Sequence, residues 1–262
     1  MIGRRIAAHL GGQNWTAIAI EFAIVVVGVF VGIQAANFNA ERQERALEQA
    51  YRERIVADLD TIIKNATDER EYEINKSRGV VAALALANLP PSDDTVLRLG
   101  QTLIVTSLRL SPNLESPTFN DLAGSGRLTL IRDPTLRRNL SVYFARLQYL
   151  RAAALRNNEH FAEPFVDWLR AQDIGPGFTG TERAEGVTLS PIDHQIADFS
   201  IKHFGVRSAA TPASRLRLPL SNQFWAGLRS NLLWRGHGAA ANENILSKVI
   251  DEARTMQDEV RR

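Results

Sequence analysis

The sequence predicts an all-α protein in which an N-terminal transmembrane helix continues into a soluble helical bundle. Residues 17–36 are apolar except for Glu21 and Gln34. Charged residues then follow without a Gly or Pro break, and apolar residues recur among them every three to four positions, as in an amphipathic helix. No stretch shows the convincing alternation of a half-buried strand.

The apolar stretch is long enough to cross a bilayer, because 20 helical residues cover about 30 Å. A cleaved signal peptide is one alternative, but its apolar region would be shorter and would end in a small-x-small site. A buried soluble helix is another, but residues 24–33 are apolar on every side. We therefore expect three parts: a short tail at 1–16, a transmembrane helix at 17–36 and a soluble α-helical domain at 37–262.

Charge and composition bear on location. Arg4 and Arg5 precede the span, and the more numerous arginines after it are interleaved with glutamates. Since a long domain can translocate largely regardless of its charge, we expect the soluble domain outside the cytoplasm, which for a bacterial inner membrane is the periplasm. Lys+Arg and Asp+Glu nearly balance at 31 and 29, which argues against a nucleic-acid partner. The absence of cysteine excludes disulfides and thiolate sites.

One stripe of the membrane helix combines an acidic residue with small ones. At 100° per residue, Val25, Gly28, Gly32 and Ala35 all fall within about 40° of Glu21. A Gly-x-x-x-Gly spacing lets two membrane helices approach closely, so the stripe predicts a homodimer or a partner helix. The alternative is that glycines are simply common in membrane helices and that Glu21 reaches towards the headgroups.

The first soluble helix should run unbroken to Pro90-Pro91, and a second from about Asp94 to Leu108. Thr118 is expected to cap a short helix that ends at residues 124–126.

Asp133 and Pro134 should open a long helix that Pro164 kinks or divides. Residues 173–219 are predicted to form an irregular loop with a helix near Ile192–Phe204. Ser221 should cap the last helix, with an interruption at residues 236–238.

Motifs with chemical meaning are weak. Residues 175–180 match a dinucleotide fingerprint but lack its strand and helix, so no cofactor is expected. One helical turn, formed by Glu159, His160 and Glu163, could contribute to a metal site, although a second donor helix is missing. The one basic cluster is a candidate anion contact, for headgroups or a carboxylate ligand, or a solvated helix start. It comprises Arg127, Arg132, Arg137 and Arg138.

The chain also resembles a family of uncharacterised bacterial single-pass membrane proteins, known as a domain of unknown function. The resemblance covers the segments SPTFNDLAGSGRLTLIRDPTLRRNLSVYF and NQFWAGLRSNLLWRGH and the opening stretch. There the matching residues are Glu21, Gly28, Gly32, Gln34, Asn37, Phe38, Asn39, Glu41 and Arg42. The chain departs from the family at Phe38, where Trp is usual, and at Ala40, where Glu often stands. The resemblance implies an anchored helical domain and no activity.

Three functions fit these features. The preferred one is a non-enzymatic binding or interaction module of unknown activity, held at the membrane. The second is a metal-dependent enzyme that uses the turn at residues 159–163. The third is a sensor. Because a 16-residue tail is too short for an output domain, such a sensor would have to signal through a partner transmembrane helix.

Overall fold

The computed structural model describes residues 15–107, 112–174 and 218–262. Within these ranges the protein is helical and contains no β-strand, as predicted. Helix α1 spans Trp15–Ala87 and α2 spans Asp93–Ser107. The remaining elements are α3 (Pro117–Gly124), a 3-10 turn (Arg127–Leu130), α4 (Pro134–Asn157), a π-helical turn (Asn158–Ala162), α5 (Glu163–Ala171) and α6 (Asn222–Arg261). The predicted helix at Ile192–Phe204 and the glycine motif at 175–180 lie outside the described residues.

Helix α1 is a single rod. Its 73 residues are about 110 Å long at 1.5 Å per residue. Residues 19–47 are all exposed, whereas Glu48 is buried and begins the part of α1 that packs into the bundle. The apolar segment and the first helix of the bundle are therefore one continuous element, as the sequence predicts.

Side-chain caps fix where the other helices begin. Asp133 accepts from the Thr135 N–H at 2.8 Å, and Ser221 accepts from the Phe224 N–H at 3.1 Å, as predicted. The prediction that Thr118 caps α3 is wrong. Pro117 is the first residue of α3 and leaves the preceding Ser116 as the cap.

Pro164 divides the long helix as expected, and the π-helical turn shows how. Proline has no N–H to donate and its ring clashes with the carbonyl four residues earlier. The wider π turn immediately precedes it, so α5 starts with proline in its first turn. The π turn thus accommodates the hydrogen bond that proline cannot donate.

The predicted interruption at residues 236–238 is wrong, because α6 continues through both glycines. These glycines serve close packing instead. A Cβ at Gly238 would lie 2.6 Å from the Cβ of Phe161, and one at Gly236 would lie 3.3 Å from Cγ1 of Val80. The missing side chains allow the π turn and α1 to approach α6.

The bundle contains two apolar cores, one on each side of its middle. The proximal core is nearer the apolar segment of α1, and it joins residues 51–66 of α1 to α4 and to residues 246–260 of α6. The distal core joins residues 80–86 of α1 to α2, α5 and residues 224–232 of α6. Both cores use the same two long helices, which pack against each other in the proximal and the distal half.

Replacing Gly238 with Ala should destabilise the bundle by roughly 1–3 kcal/mol, because the added methyl group overpacks against Phe161. Gly124→Ala is the matched control, since a Cβ there meets nothing within 4 Å. Chemical unfolding of the detergent-solubilised chain measures both. Equal stability of the two variants would contradict the packing role of Gly238.

Candidate functional site

A layer of buried polar side chains separates the two apolar cores. We call it the polar layer, and it consists of Glu69, Tyr72, Glu73, Lys76, Asn158, Arg235 and Asn242. Glu73 and Arg235 have no exposed surface, and Lys76 is 2% exposed. Charged residues are almost never fully buried unless they are paired, so this layer is the most unusual chemical feature of the described residues.

Helix geometry places these charges inside the bundle. The core-facing positions of α1 recur every three to four residues, from Ile62 and Ala66 to Val80 and Ala83. Between them the same spacing falls on Glu69, Glu73 and Lys76. Sequence reasoning missed this site because it followed the apolar positions only as far as Ala66. The available signal was a helical repeat that continues while its residues change from apolar to charged.

Hydrogen bonds connect the layer across the bundle. Lys76 donates from Nζ to Oε1 of Glu73 at 3.0 Å, and its ammonium lies 4.0 Å from the ring centroid of Tyr72. The amide of Asn242 donates to the same Oε1 at 3.4 Å and to Oδ1 of Asn158 at 3.1 Å. One carboxylate oxygen thus links α1 to α6, and through Asn242 to the π turn.

Arg235 ties a third helix to the layer. Its Nε donates to the backbone carbonyl of Thr106, in the last turn of α2, at 3.0 Å. A guanidinium at this position also complements the negative end of the α2 dipole. The layer therefore joins α1, α2, α6 and the π turn at one level of the bundle.

Two polar atoms near the lysine are left without a hydrogen bond in the described structure. They are Oε2 of Glu73 and Oγ of Ser77, one helical turn apart on α1, and both are buried. An unsatisfied buried acceptor costs about 1–3 kcal/mol and is rare in folded proteins. The polar layer is therefore under-satisfied at the side of Glu73 that Lys76 does not reach.

Burial shifts the protonation equilibria of the layer towards neutral forms. Burial raises the pKa of Glu69 to about 7, while Lys76 opposes the rise and Glu73 adds to it. Burial also lowers the pKa of Lys76 to about 8, against the attraction of Glu73. The pKa of Arg235 falls and that of Tyr72 rises, in both cases chiefly through burial.

The predicted metal turn lies at the surface. Glu159 and His160 are exposed on the π turn, and the His160 ring lies beside Phe161 at a centroid distance of 6.5 Å. Glu163 is half-buried at the start of α5. Among residues 15–107, 112–174 and 218–262, no three His, Asp or Glu side chains come together to hold a metal ion.

The predicted pairing stripe lies on the free part of α1. All five residues are exposed, namely Glu21, Val25, Gly28, Gly32 and Ala35. A Cβ added at either glycine meets nothing within 4 Å. The described part of the bundle leaves this stripe uncovered.

The basic cluster is largely occupied by contacts within the chain. Arg127 pairs with Asp121 at 3.2 Å, and Arg132 pairs with Glu44 of α1 at 3.0 Å. Arg137 donates to the carbonyl of Ile131 at 3.2 Å, and Arg138 is exposed. These bonds place the cluster at the end of the bundle nearest the apolar segment. Anion binding there stays a prediction.

Removing the lysine should destabilise the protein strongly. Lys76→Met leaves Glu73 buried without its ammonium partner, a change that typically costs about 3–5 kcal/mol. The double variant Glu73→Leu/Lys76→Met removes both charges and should recover part of the loss. Lys64→Met is the control, because its ion pair with Asp68 has a lysine side chain that is 69% exposed. A Lys76→Met protein that unfolds like the Lys64→Met protein would refute the pairing.

Comparison of the chain with protein-family models, with curated proteins and with solved structures gives no match. The function is therefore inferred from the residues themselves.

Proposed function

We propose that the protein is a single-pass membrane protein of the bacterial inner membrane whose periplasmic helical domain is a non-enzymatic binding or interaction module. The observation that carries the proposal is the exposed apolar segment of α1. This helix is long and apolar enough to cross a membrane, with a mean hydropathy of 2.2 over its most apolar window and none of that window buried. The bacterial assignment is supported by the resemblance of the sequence to a family of anchored bacterial proteins.

The exposed side chains of the segment favour lipid over water. Phe22, Ile24 and Phe30 are each at least 60% exposed, and apolar neighbours continue on every side of the helix. Soluble monomers rarely expose contiguous apolar patches of more than a few hundred Å². A bilayer removes this surface from water without requiring a protein partner.

The end of the segment has the chemistry of a membrane interface. Phe38 is exposed, and the guanidinium carbon of Arg42 lies 5.8 Å from the centroid of its ring. Amphipathic rings and long basic side chains are favoured at headgroup level, where the apolar part meets lipid and the charge meets water.

The length of α1 between the apolar segment and the bundle sets how far the bundle lies from the membrane. Glu48 lies 12 residues beyond Ala36, so the packed bundle begins about 18 Å beyond the apolar segment. The bundle stands in water while its base stays near the lipid surface. The basic cluster at that base is our candidate contact for anionic headgroups.

A metal-dependent enzyme is the alternative function. It would need donors in addition to Glu159, His160 and Glu163, and the described residues do not bring such donors together. Metal analysis of the purified protein separates the two functions. Stoichiometric metal that is lost in His160→Ala would favour the enzyme.

The topology is tested by fusing a reporter that is active only outside the cytoplasm to Arg262. We expect activity, because the domain follows the span without a second apolar segment in the described residues. The same reporter fused before residue 17 should be inactive. The opposite pattern would overturn both the orientation and the periplasmic location.

Geometry favours self-association through the stripe as the mode of helix pairing. On a helical projection, the bundle-facing residues Ile55, Leu59 and Ile62 lie about 140–200° from Glu21. The stripe and the bundle are therefore on opposite sides of α1. Two parallel copies that pair through Gly28 and Gly32 would therefore carry their bundles on the outer sides of the pair.

Gly32→Leu should weaken self-association at least several-fold in a membrane two-hybrid or crosslinking assay, because the leucine keeps the two helices apart. Val26→Leu is the matched control, since Val26 lies about 140° from Glu21 and outside the stripe. Unchanged association of the Gly32→Leu protein would rule out a homodimer through this face.

A further inference from the structure

We propose that the polar layer is a proton-operated joint: Glu69 holds a proton when the bundle is tightly closed, and its release loosens the distal half. Every group involved lies inside the bundle, so the joint does not depend on the membrane topology.

The charged groups of the buried layer are unequally paired. Two carboxyl groups, Glu69 and Glu73, lie one helical turn apart on α1. The ammonium of Lys76 bonds to Glu73, and the guanidinium of Arg235 bonds to the carbonyl of Thr106. Glu69 is buried in the same layer and forms no ion pair among the described residues, although both cations attract its ionised form. A neutral carboxyl group is favoured there because burial penalises the ionised form.

The surroundings of Glu69 contain few other titratable groups. Tyr72, Glu73 and Lys76 face it from α1, and Arg235 faces it from α6. The π turn and the end of α4 contribute the amides of Asn158 and Asn157, and α2 contributes a backbone carbonyl. The ion pair of Arg70 with Glu243, at 3.8 Å, is partly exposed. Proton exchange in the described layer therefore falls chiefly on Glu69 and Lys76.

The direction of the effect follows from linkage. The pKa of Glu69 is about 7 in the folded protein and about 4.5 in an ordinary glutamate. The folded state therefore binds this proton more tightly, and its stability falls as the pH rises from about 5 to about 7. Lys76 acts in the opposite sense, since its pKa falls from 10.5 to about 8, and stability is regained above about pH 8.

The position of the layer explains why the distal half responds. The layer separates the two cores and lies level with the π turn, a helical irregularity that is often found at functional sites. Among the described residues, the distal core is the smaller of the two. Opening at the layer can therefore separate α2 and the distal half of α6 from α1 while the proximal core stays closed.

The proton is tested by carbon NMR of labelled glutamate carboxyl groups in the detergent-solubilised full chain. We expect one carboxyl group to titrate near neutral pH in the wild type and in Glu71→Gln, but not in Glu69→Gln. Glu71 is exposed on the same helix and is the matched control. The proposal fails if every glutamate has ionised by about pH 5.5, or if Glu69→Gln keeps the neutral titration.

The joint is tested by hydrogen exchange of the same three proteins at about pH 6 and about pH 8, corrected for intrinsic rates. In the wild type and in Glu71→Gln, opening of residues 96–104 and 224–232 should increase roughly five- to ten-fold at the higher pH. In Glu69→Gln the change should be less than about two-fold, and residues 51–66 should stay protected in all three proteins. An equal pH response in wild type and Glu69→Gln, or none in the wild type, overturns the proposal.

Discussion

The alignment of α1 with α6 depends on one buried group, the carboxylate of Glu73, which Lys76 of α1 and Asn242 of α6 both contact. An ammonium group that is 2% exposed has lost nearly all of its hydration, so it requires a carboxylate close by. Asn242 of α6 bonds to the same carboxylate oxygen. A shift of either helix along the other would separate Asn242 from Glu73 and leave buried polar groups without partners, which costs about 1–3 kcal/mol for each group.

This local constraint reaches the apolar segment because α1 is one uninterrupted helix. Because Glu73 and Ala36 lie on one helix, fixing the position of Glu73 also fixes that of Ala36, about 55 Å away along the helix. The rotation of the helix is fixed too, which places the Gly28 and Gly32 stripe opposite the bundle. Any change in the bundle that moves α1 is therefore transmitted to the apolar segment as a displacement of the same helix.

The sequence predicts those features that depend on local chemistry. The continuity of α1, the caps at Asp133 and Ser221 and the break at Pro164 follow from residues within one helical turn. The predictions that failed depend on residues far away in the chain. Gly238 is a packing contact because Phe161 lies against it, and nothing near residue 238 indicates this. The polar layer is predictable only in part. The helical repeat of α1 places its two acids inside the bundle, but nothing in the sequence near them indicates that Arg235 of α6 lies in the same layer.

A bundle with an entirely apolar α1 would be easier to form and harder to specify. The core-facing residues from Tyr51 to Ala83 recur every three to four positions, so an all-apolar stripe could pair with α6 after a slip of seven residues at little cost. The buried charges remove that freedom, because only one register joins Glu73 to Asn242. Buried polar groups fix register in this way in coiled coils at the expense of stability. The under-satisfied oxygen of Glu73 is consistent with that expense.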